Sequence, residues 1–473
     1  MRRAWRIAGL AVVVLATAAF CLFPSDRRLR SYAGYAAKVY AGATFLQGRT
    51  PESVRAEEFA PERSVERILP HFLDVVIDRE RRTVVATLAG RSAKVAYYDG
   101  LGGVLLAGGG PPSFDPRPAA RPDSRAAFGD PALVPWPRGD RDASGPLDGA
   151  DAARLAAAVD AAFSESAEGP LKRTRAVLVA WKGRLVVERY APGFGAEVPL
   201  LGWSMTKSVL SALIGVRVAE GRLALDRPPP WPIRPTGDPR ALITLRDYLR
   251  MSSGLAWRED YFADDSDPVG MLFDEPDAAE FVARRPAAKP PGEEFVYSSG
   301  TSVLLTRALR ALCADDADWL GWPRRALFDR LGMRGAVFEP DAAGTFVGSS
   351  FLYAPARDWM RFALLYSGGG VFGGERILPA EWIAATAERA PAAPNGEYGL
   401  HWWLNRGPDG DAARRKHPRL PADLLSAEGY EGQIVAIAPS QDVIVVRLGV
   451  TKQRAAFETR DFVADVLAAF PDR

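Results

Sequence analysis

The sequence of 473 residues predicts an α+β fold, in which an antiparallel sheet is flanked by helices and carries an inserted, mostly helical domain. Two hairpin patterns, at residues 176–190 and 433–448, lie far apart in the chain, and each joins two β-branched runs through a short turn. Between them, residues 220–425 show short helical patterns joined by Pro/Gly loops. Strands at both ends with helices between them indicate one sheet assembled from both ends of the chain.

Composition excludes several classes of partner. The charged residues balance to a net charge of +2, and the arginines are scattered among acids, so we expect no nucleic-acid partner. The two cysteines and three histidines have no metal-ligand spacing, and we therefore expect no metal or other cofactor.

Residues 1–30 differ from the rest of the chain. Arg2, Arg3 and Arg6 precede an apolar run at residues 7–23, which predicts a secretory signal or a membrane anchor. Ala16-Thr17-Ala18 suits a signal peptidase, whereas the run is nearly long enough to span a bilayer. We expect an exported protein, either anchored on the periplasmic side of the inner membrane or secreted.

Residues 31–146 are predicted to form an amino-terminal extension. It contains an amphipathic helix at about 32–45 and three strands at 72–77, 83–88 and 94–98. An irregular segment rich in Pro, Gly, Asp and Arg follows at roughly 109–150. The main domain, 147–473, is expected to begin with an alanine-rich helix and to end with a helix at 456–470.

Ser204-x-x-Lys207 is the first motif that carries chemistry. The apolar run after it has the spacing of a buried helix, so both side chains share a face and the Lys207 amine can reach the Ser204 hydroxyl. A serine needs a base to become nucleophilic, and burial favours the neutral amine that can serve. The alternative is an ordinary helix start with a solvated lysine, but the apolar setting favours the catalytic interpretation.

A second constellation is Tyr297-Ser298-Ser299, after the turn at Pro291-Gly292. A tyrosine hydroxyl beside a Ser–Lys pair can share the base role and pass a proton to a leaving group. Alone, this tripeptide is ordinary loop chemistry. His401 suggests a Ser-His-Asp triad instead, but the context of Ser204 is not the Gly-x-Ser-x-Gly elbow, which disfavours that arrangement.

These motifs together resemble a known family. The chain is similar to the serine hydrolases of the β-lactamase superfamily, on the class C and penicillin-binding-protein side, and most to the 6-aminohexanoate-dimer hydrolase branch. The resemblance runs from about residue 32 to the end and implies a β-lactamase/transpeptidase-like fold. It is carried by Ser204-Met-Thr-Lys207, Met251-Ser-Ser-Gly-Leu255, Pro291-Gly-x-x-Phe-x-Tyr297, Gly348-Ser-Ser-Phe-x-Tyr353, Tyr398-Gly-x-x-Trp402-Trp403 and Gly429-Tyr-Glu-Gly432.

The resemblance implies a role for each matched residue. Ser204 would be the acylated nucleophile, Lys207 its base and Tyr297 the proton shuttle. The backbone N–H groups of Ser204 and Tyr430 would form the oxyanion hole. The implied activity is cleavage of amide or ester bonds in small molecules, without a cofactor.

The resemblance also implies substrate contacts. Ser299 stands where many relatives have asparagine, and Gly429 lies on the strand that borders the cleft. Tyr261 is on a loop that borders the cleft in this branch, and both a substrate contact and an ordinary solvated loop fit its position. Trp402 and Trp403 are adjacent, and packing is the favoured role for both. One of them is expected to line the cleft, and Trp402 is assigned to that position.

Two departures from the family pattern qualify these expectations. The third motif is Ala427-Glu428-Gly429 rather than lysine-threonine-glycine, which disfavours a penicillin-binding D,D-carboxypeptidase or a β-lactamase and suggests that Glu428 repels substrate carboxylates. The resemblance also implies cysteines near Ala41 and Gly103, so we expect that a linking disulfide has been lost. The remaining alternative is a non-catalytic envelope binding protein on the same fold.

Overall fold

The computed structural model describes residues 25–60, 69–117, 130–230, 237–263 and 265–472. Most of the predicted signal or anchor, residues 1–24, therefore lies outside the described residues. Across the ranges that are described, no helix is both long and apolar enough to cross a membrane.

Antiparallel strands form four sheets in the described residues. In chain order the strands are β1 (Leu73–Asp78), β2 (Thr83–Leu88), β3 (Arg91–Tyr98), β4 (Gly102–Leu105), β5 (Thr174–Trp181), β6 (Arg184–Tyr190), β7 (Leu200–Leu201), β8 (Val337–Phe338), β9 (Leu352–Ala354), β10 (Val371–Phe372), β11 (Glu375–Arg376), β12 (Trp403–Leu404), β13 (Leu425–Gly429), β14 (Gln433–Ala438) and β15 (Val443–Gly449).

The helices pack around these sheets. In chain order they are α1 (Asp26–Ala41), α2 (Pro51–Glu58), α3 (Ala152–Phe163), α4 (Thr206–Ala219), α5 (Leu245–Leu249), α6 (Asp267–Phe273), α7 (Ala278–Ala283), α8 (Ser299–Arg310), α9 (Asp316–Pro323), α10 (Ala356–Ser367), α11 (Ala380–Thr386) and α12 (Thr459–Leu467).

The largest sheet joins the two ends of the main domain. Its strand order is β12-β13-β14-β15-β5-β6, and β15 pairs with β5 so that Val445 lies opposite Val179. Alternate residues of β5 face opposite sides, with Leu178 packing toward α4 and α10 and Val179 toward α3 and α12. The predicted α+β fold, with one antiparallel sheet built from both ends of the chain, is confirmed.

The amino-terminal part packs α1 against the meander β1-β2-β3-β4. The helix begins at Asp26, six residues before the predicted start, because the Ser25 hydroxyl accepts from the Arg28 N–H and caps it. It ends at Ala41 and continues as one π-helical turn. Strand β4 was not predicted, since its Gly102-Gly103 start lacks β-forming residues.

A buried ion pair joins this part to the main domain. The Lys38 ammonium contacts a carboxylate oxygen of Glu339, and it also donates to the Gly103 carbonyl at 2.7 Å. The Gly103 N–H donates to the other Glu339 oxygen at 2.6 Å. Because every strong donor and acceptor here is matched, α1 has a fixed position relative to the main domain.

The segment at residues 220–425 contains helices α5 to α11 and also short strands, β8 to β12, that the sequence did not indicate. Strands β7, β9 and β8 form a small sheet beside the start of α4. The carbonyl of Leu352 in β9 accepts from the Gly202 N–H at 2.9 Å, which fixes the chain just before Ser204.

Candidate active site

Ser204 lies in a tight turn at the start of α4. A single 3₁₀ turn, Trp203–Met205, leads into the helix, and Trp203 has a left-handed φ of 48°. That conformation is costly for a large side chain, and the surroundings must hold it. The indole packs against Tyr35 and Tyr430, and its N–H donates to Glu431 at 3.1 Å.

Two glycines allow the chain segments around Ser204 to approach closely. A Cβ on Gly202 would lie 2.3 Å from the Trp359 ring, and a Cβ on Gly429 would lie 2.2 Å from the Gly202 carbonyl oxygen. Larger residues would separate the two segments. The approach places Tyr430, the residue after Gly429, directly beside the turn that holds Ser204.

Lys207 is buried and lies against the Ser204 hydroxyl. Its side-chain nitrogen is 2.9 Å from Ser204 Oγ, 3.1 Å from Ser299 Oγ and 3.0 Å from the Ser349 carbonyl oxygen. Burial lowers the pKa of Lys207 to about 8, and the nearby Glu259 charge opposes that shift only in part. A substantial fraction of Lys207 is therefore neutral near physiological pH and able to accept a proton.

Tyr297 lies beside both Ser204 and Lys207. The Lys207 nitrogen lies 4.9 Å from the centre of the Tyr297 ring. Burial raises the pKa of Tyr297 well above its usual range, although the nearby Ser204 side chain has a lowering effect, so the phenol keeps its proton. The Trp403 ring stacks on Tyr297 at 5.3 Å and holds it in place.

Glu259 is a site residue that sequence reasoning missed. One of its carboxylate oxygens accepts from the Ser299 hydroxyl at 2.5 Å and from the Tyr261 hydroxyl at 2.8 Å. The other accepts from the Ser299 N–H at 2.9 Å and from the Trp257 indole N–H at 2.5 Å. The carboxylate thus orients Ser299 toward Lys207, and the alternation Trp257-x-Glu259-x-Tyr261 on an extended loop was the available signal.

Ser299 and Tyr261 are brought together with the catalytic candidates. Ser299 is fully buried at the start of α8, whereas Tyr261 is 42% exposed and its hydroxyl lies 3.4 Å from Ser299 Oγ. Ser299 contacts Lys207 and is closed to solvent. Tyr261 is accessible to a ligand.

Strand β13 places Ala427 and Glu428 on opposite faces. Ala427 is buried in the core, while Glu428 accepts from Arg460 on α12 at 2.8 Å and from the Ser426 hydroxyl at 2.7 Å. Arg460 thus offsets the Glu428 charge that was expected to repel substrate carboxylates. Gly429 ends the strand, and the Tyr430 side chain is 43% exposed next to Ser204.

The assignment of Trp402 to the cleft is wrong. Its indole is fully buried and packs against Phe362 and Tyr366, with ring centres 5.9 and 4.5 Å away. Strand alternation instead turns Trp403 toward Tyr297, so Trp403 is the indole at the site.

His401 does not form a triad with Ser204. Its Nε2 is 2.9 Å from the Ser302 hydroxyl, and burial, followed by the charge of Lys207, lowers the pKa of the imidazole to about 3. Within the described ranges, no group of three or more His, Cys, Asp and Glu side chains is placed to hold a metal ion.

Comparisons with known proteins identify the family of the chain. The Beta-lactamase family model matches residues 159–470. The 6-aminohexanoate-dimer hydrolase of Paenarthrobacter ureafaciens is 23% identical over 305 residues, covering 58% of this chain and 72% of that protein.

Solved structures share the fold. A Bacillus anthracis protein provisionally named a 6-aminohexanoate-dimer hydrolase superimposes with a TM-score of 0.53 at 18% identity, covering 73% of this chain and 91% of its own. SurE superimposes with a TM-score of 0.50 at 18% identity, covering 67% of this chain and 75% of its own.

The fold and the family match define the class: this is an enzyme, a hydrolase with a β-lactamase/transpeptidase-like fold. The chain belongs to the Beta-lactamase family and is a β-lactamase-superfamily serine hydrolase similar to the 6-aminohexanoate-dimer hydrolases. The family predicted from the sequence motifs is confirmed.

Proposed function

We propose that the chain cleaves amide or ester bonds of small molecules through an acyl-enzyme on Ser204. The observation that carries the proposal is the buried Lys207 nitrogen, 2.9 Å from Ser204 Oγ, with its pKa lowered to about 8. A neutral amine in that position accepts the serine proton as the oxygen attacks the substrate carbonyl.

The two halves of the reaction use the same groups. In the first, Lys207 takes the Ser204 proton, the C–O bond to the substrate forms, and negative charge develops on the substrate oxygen. The backbone N–H groups of Ser204 and Tyr430 stabilise that charge. Tyr297 gives its proton to the leaving nitrogen or oxygen and is reprotonated from Lys207.

In the second half, water attacks the acyl-enzyme. The Lys207 and Tyr297 pair accepts a proton from the water, and the Ser204 oxygen leaves with a proton returned from Lys207. The products are the free acid and the restored enzyme. Ser299, held by Glu259, keeps the Lys207 nitrogen pointed at Ser204 throughout.

A substrate panel tests the proposal. Purified protein is assayed with 4-nitrophenyl acetate, an amino-acid 4-nitroanilide and a chromogenic cephalosporin, alongside Ser204→Ala. We expect turnover of the ester or the anilide that disappears in Ser204→Ala. Preferred turnover of the cephalosporin would instead make the chain a β-lactamase, and absence of any Ser204-dependent turnover would favour a non-catalytic binding protein.

We also propose, from the sequence of residues 1–30, that the protein is exported and retained at the periplasmic face of the membrane or secreted. Fractionation of producing cells, followed by mass measurement of the amino terminus, distinguishes cleavage from retention. Recovery of the full-length chain in the cytoplasm would contradict the proposal.

A further inference from the structure

A cavity of about 170 Å³ opens beside Ser204, and many aromatic rings contribute to its lining. An engineered apolar cavity of about 150 Å³ in another protein binds benzene, so this space suits a ring-sized group. The rings come from α1, from the segment after α2, from the loop before α6, from α6 itself and from the turn after β13. They include Tyr32, Tyr35, Phe59, Phe262, Phe273 and Tyr430.

The wall made by α1 lies outside the part of the chain that the family model matches, which begins at residue 159. This wall is nevertheless fixed. A Cβ on Gly34 would lie 2.0 Å from the Phe273 carbonyl oxygen, so α1 and α6 are in backbone contact, and Arg30 donates to Asp274 at 3.1 Å. A rigid wall that the family domain does not supply is suited to setting specificity.

The position of the cavity indicates which half of the substrate it receives. Ser204 and Tyr430 line it, whereas Lys207 and Tyr297, though described, do not. Under the proposed mechanism Tyr297 protonates the leaving group. The leaving group therefore lies next to Tyr297, outside the cavity. The cavity is left for the acyl group.

The charges in the wall disfavour a cationic acyl group. Glu58 lines the cavity and is bound by Arg49 at 2.7 Å and by Arg175, so its charge is already offset. Lys452 also lines the cavity, and it pairs with Glu431, which does not. Arg27 also lines the cavity, and among the residues that the structure describes no carboxylate forms an ion pair with it.

We propose that this cavity is an acyl-binding pocket for apolar, ring-sized acyl groups with a neutral or anionic outer end, and that α1 sets this preference. The inference rests on the proposed function, because it assumes acylation of Ser204. It names as substrates the esters or amides of arylalkanoic acids and of acids of similar size and polarity.

The test compares esters that share one leaving group. We expect wild type to hydrolyse 4-nitrophenyl 3-phenylpropanoate with a kcat/KM about tenfold or more above that for 4-nitrophenyl acetate, because the pocket buries the ring. Val269 on α6 lines the pocket. Val269→Trp fills the space and lowers the ratio of the two kcat/KM values to about one or less, and Val269→Phe gives an intermediate ratio.

Val76→Trp is the matched control, because Val76 is 58% exposed on β1 and does not line the pocket. We expect this variant to have the same ratio of the two kcat/KM values as wild type. Arg27→Gln raises the relative rate for an acyl group ending in ammonium, whereas Arg81→Gln, at a highly exposed arginine, does not.

A binding measurement separates the two proposals. Calorimetry with 3-phenylpropanoate on Ser204→Ala should show binding that Val269→Trp abolishes, whether or not any ester is turned over. Ser204-dependent hydrolysis with a ratio that Val269→Trp leaves unchanged would overturn the pocket assignment alone. Binding blocked by Val269→Trp without Ser204-dependent hydrolysis would instead contradict the proposed function.

Discussion

Joining Ala41 and Gly103 by a disulfide tests the placement of α1 against the sheet of the amino-terminal part. A Cβ on Gly103 would lie 3.6 Å from the Ala41 Cβ, within the range that native disulfides span. Gly103 does not have a positive φ, so a cysteine can adopt its backbone conformation. We expect the double variant Ala41→Cys/Gly103→Cys to close this bond spontaneously in air.

The expected gain in stability is the entropy of loop closure in the unfolded chain less the cost of crowding around the new side chain. Closing a loop of roughly 60 residues removes unfolded-state entropy equivalent to about 4 kcal/mol. The new Cβ would lie 3.0 Å from Val95 Cγ1 and 3.3 Å from a Glu339 oxygen, and this crowding costs about 1–2 kcal/mol. The net gain of about 2–3 kcal/mol should raise Tm by about 2–3 °C for a chain of this size.

Thermal unfolding with and without dithiothreitol measures the effect, and thiol titration with intact mass reports bond formation. Each single cysteine variant is the control and should show no dependence on reductant beyond that of wild type. A folded double variant that after oxidation keeps both introduced thiols, in addition to those of the native Cys21 and Cys313, would mean that α1 and β4 are not neighbours, and the acyl-pocket wall would then be misplaced too.

Three further predictions concern the site. The rate should rise with pH and reach half its plateau near pH 8, because only the neutral Lys207 amine accepts a proton. This apparent pKa belongs to the coupled pair of Lys207 and Tyr297. Lys207→Arg should lower kcat/KM about 10²- to 10⁴-fold, because a guanidinium does not give up its proton. Glu259→Gln removes a charge that favours the protonated lysine, so its half-maximal rate should move to lower pH, whereas Glu293→Gln at an exposed site leaves the pH profile unchanged. Gly202→Ala should destabilise the fold by about 1–3 kcal/mol in denaturant unfolding, because its Cβ would lie 2.3 Å from Trp359; unchanged stability would contradict the close packing of this turn.

Local periodicity was sufficient for the elements with strong patterns. Strand β2, Thr83–Leu88, matches its prediction to the residue, and β14, Gln433–Ala438, begins at the first residue of the second predicted hairpin. Both are runs of alternating or β-branched residues bounded by turns. The last helix, Thr459–Leu467, is shorter than predicted. It begins later because a 3₁₀ turn, Arg454–Ala456, precedes it and the Glu458 side chain caps its first turn.

The close neighbours of Ser204 were predictable only where a motif names them. Lys207 lies one helical turn away, and its contact with Ser204 follows from spacing alone. Glu259 and Phe59 reach the site through long-range packing that no local pattern encodes. Trp402 and Trp403 are adjacent, and only the pairing of Trp403 with Ser426 in the sheet decides which ring faces Tyr297.

The central claim, that Ser204 is the nucleophile, is tested most directly by covalent labelling. Wild-type protein is treated with a fluorophosphonate, measured by intact mass, and digested to map the modified residue. We predict one adduct per chain, located on Ser204, formed faster as pH rises through the titration of Lys207 and absent in Ser204→Ala. An adduct on another serine, or full labelling of Ser204→Ala, would contradict the account.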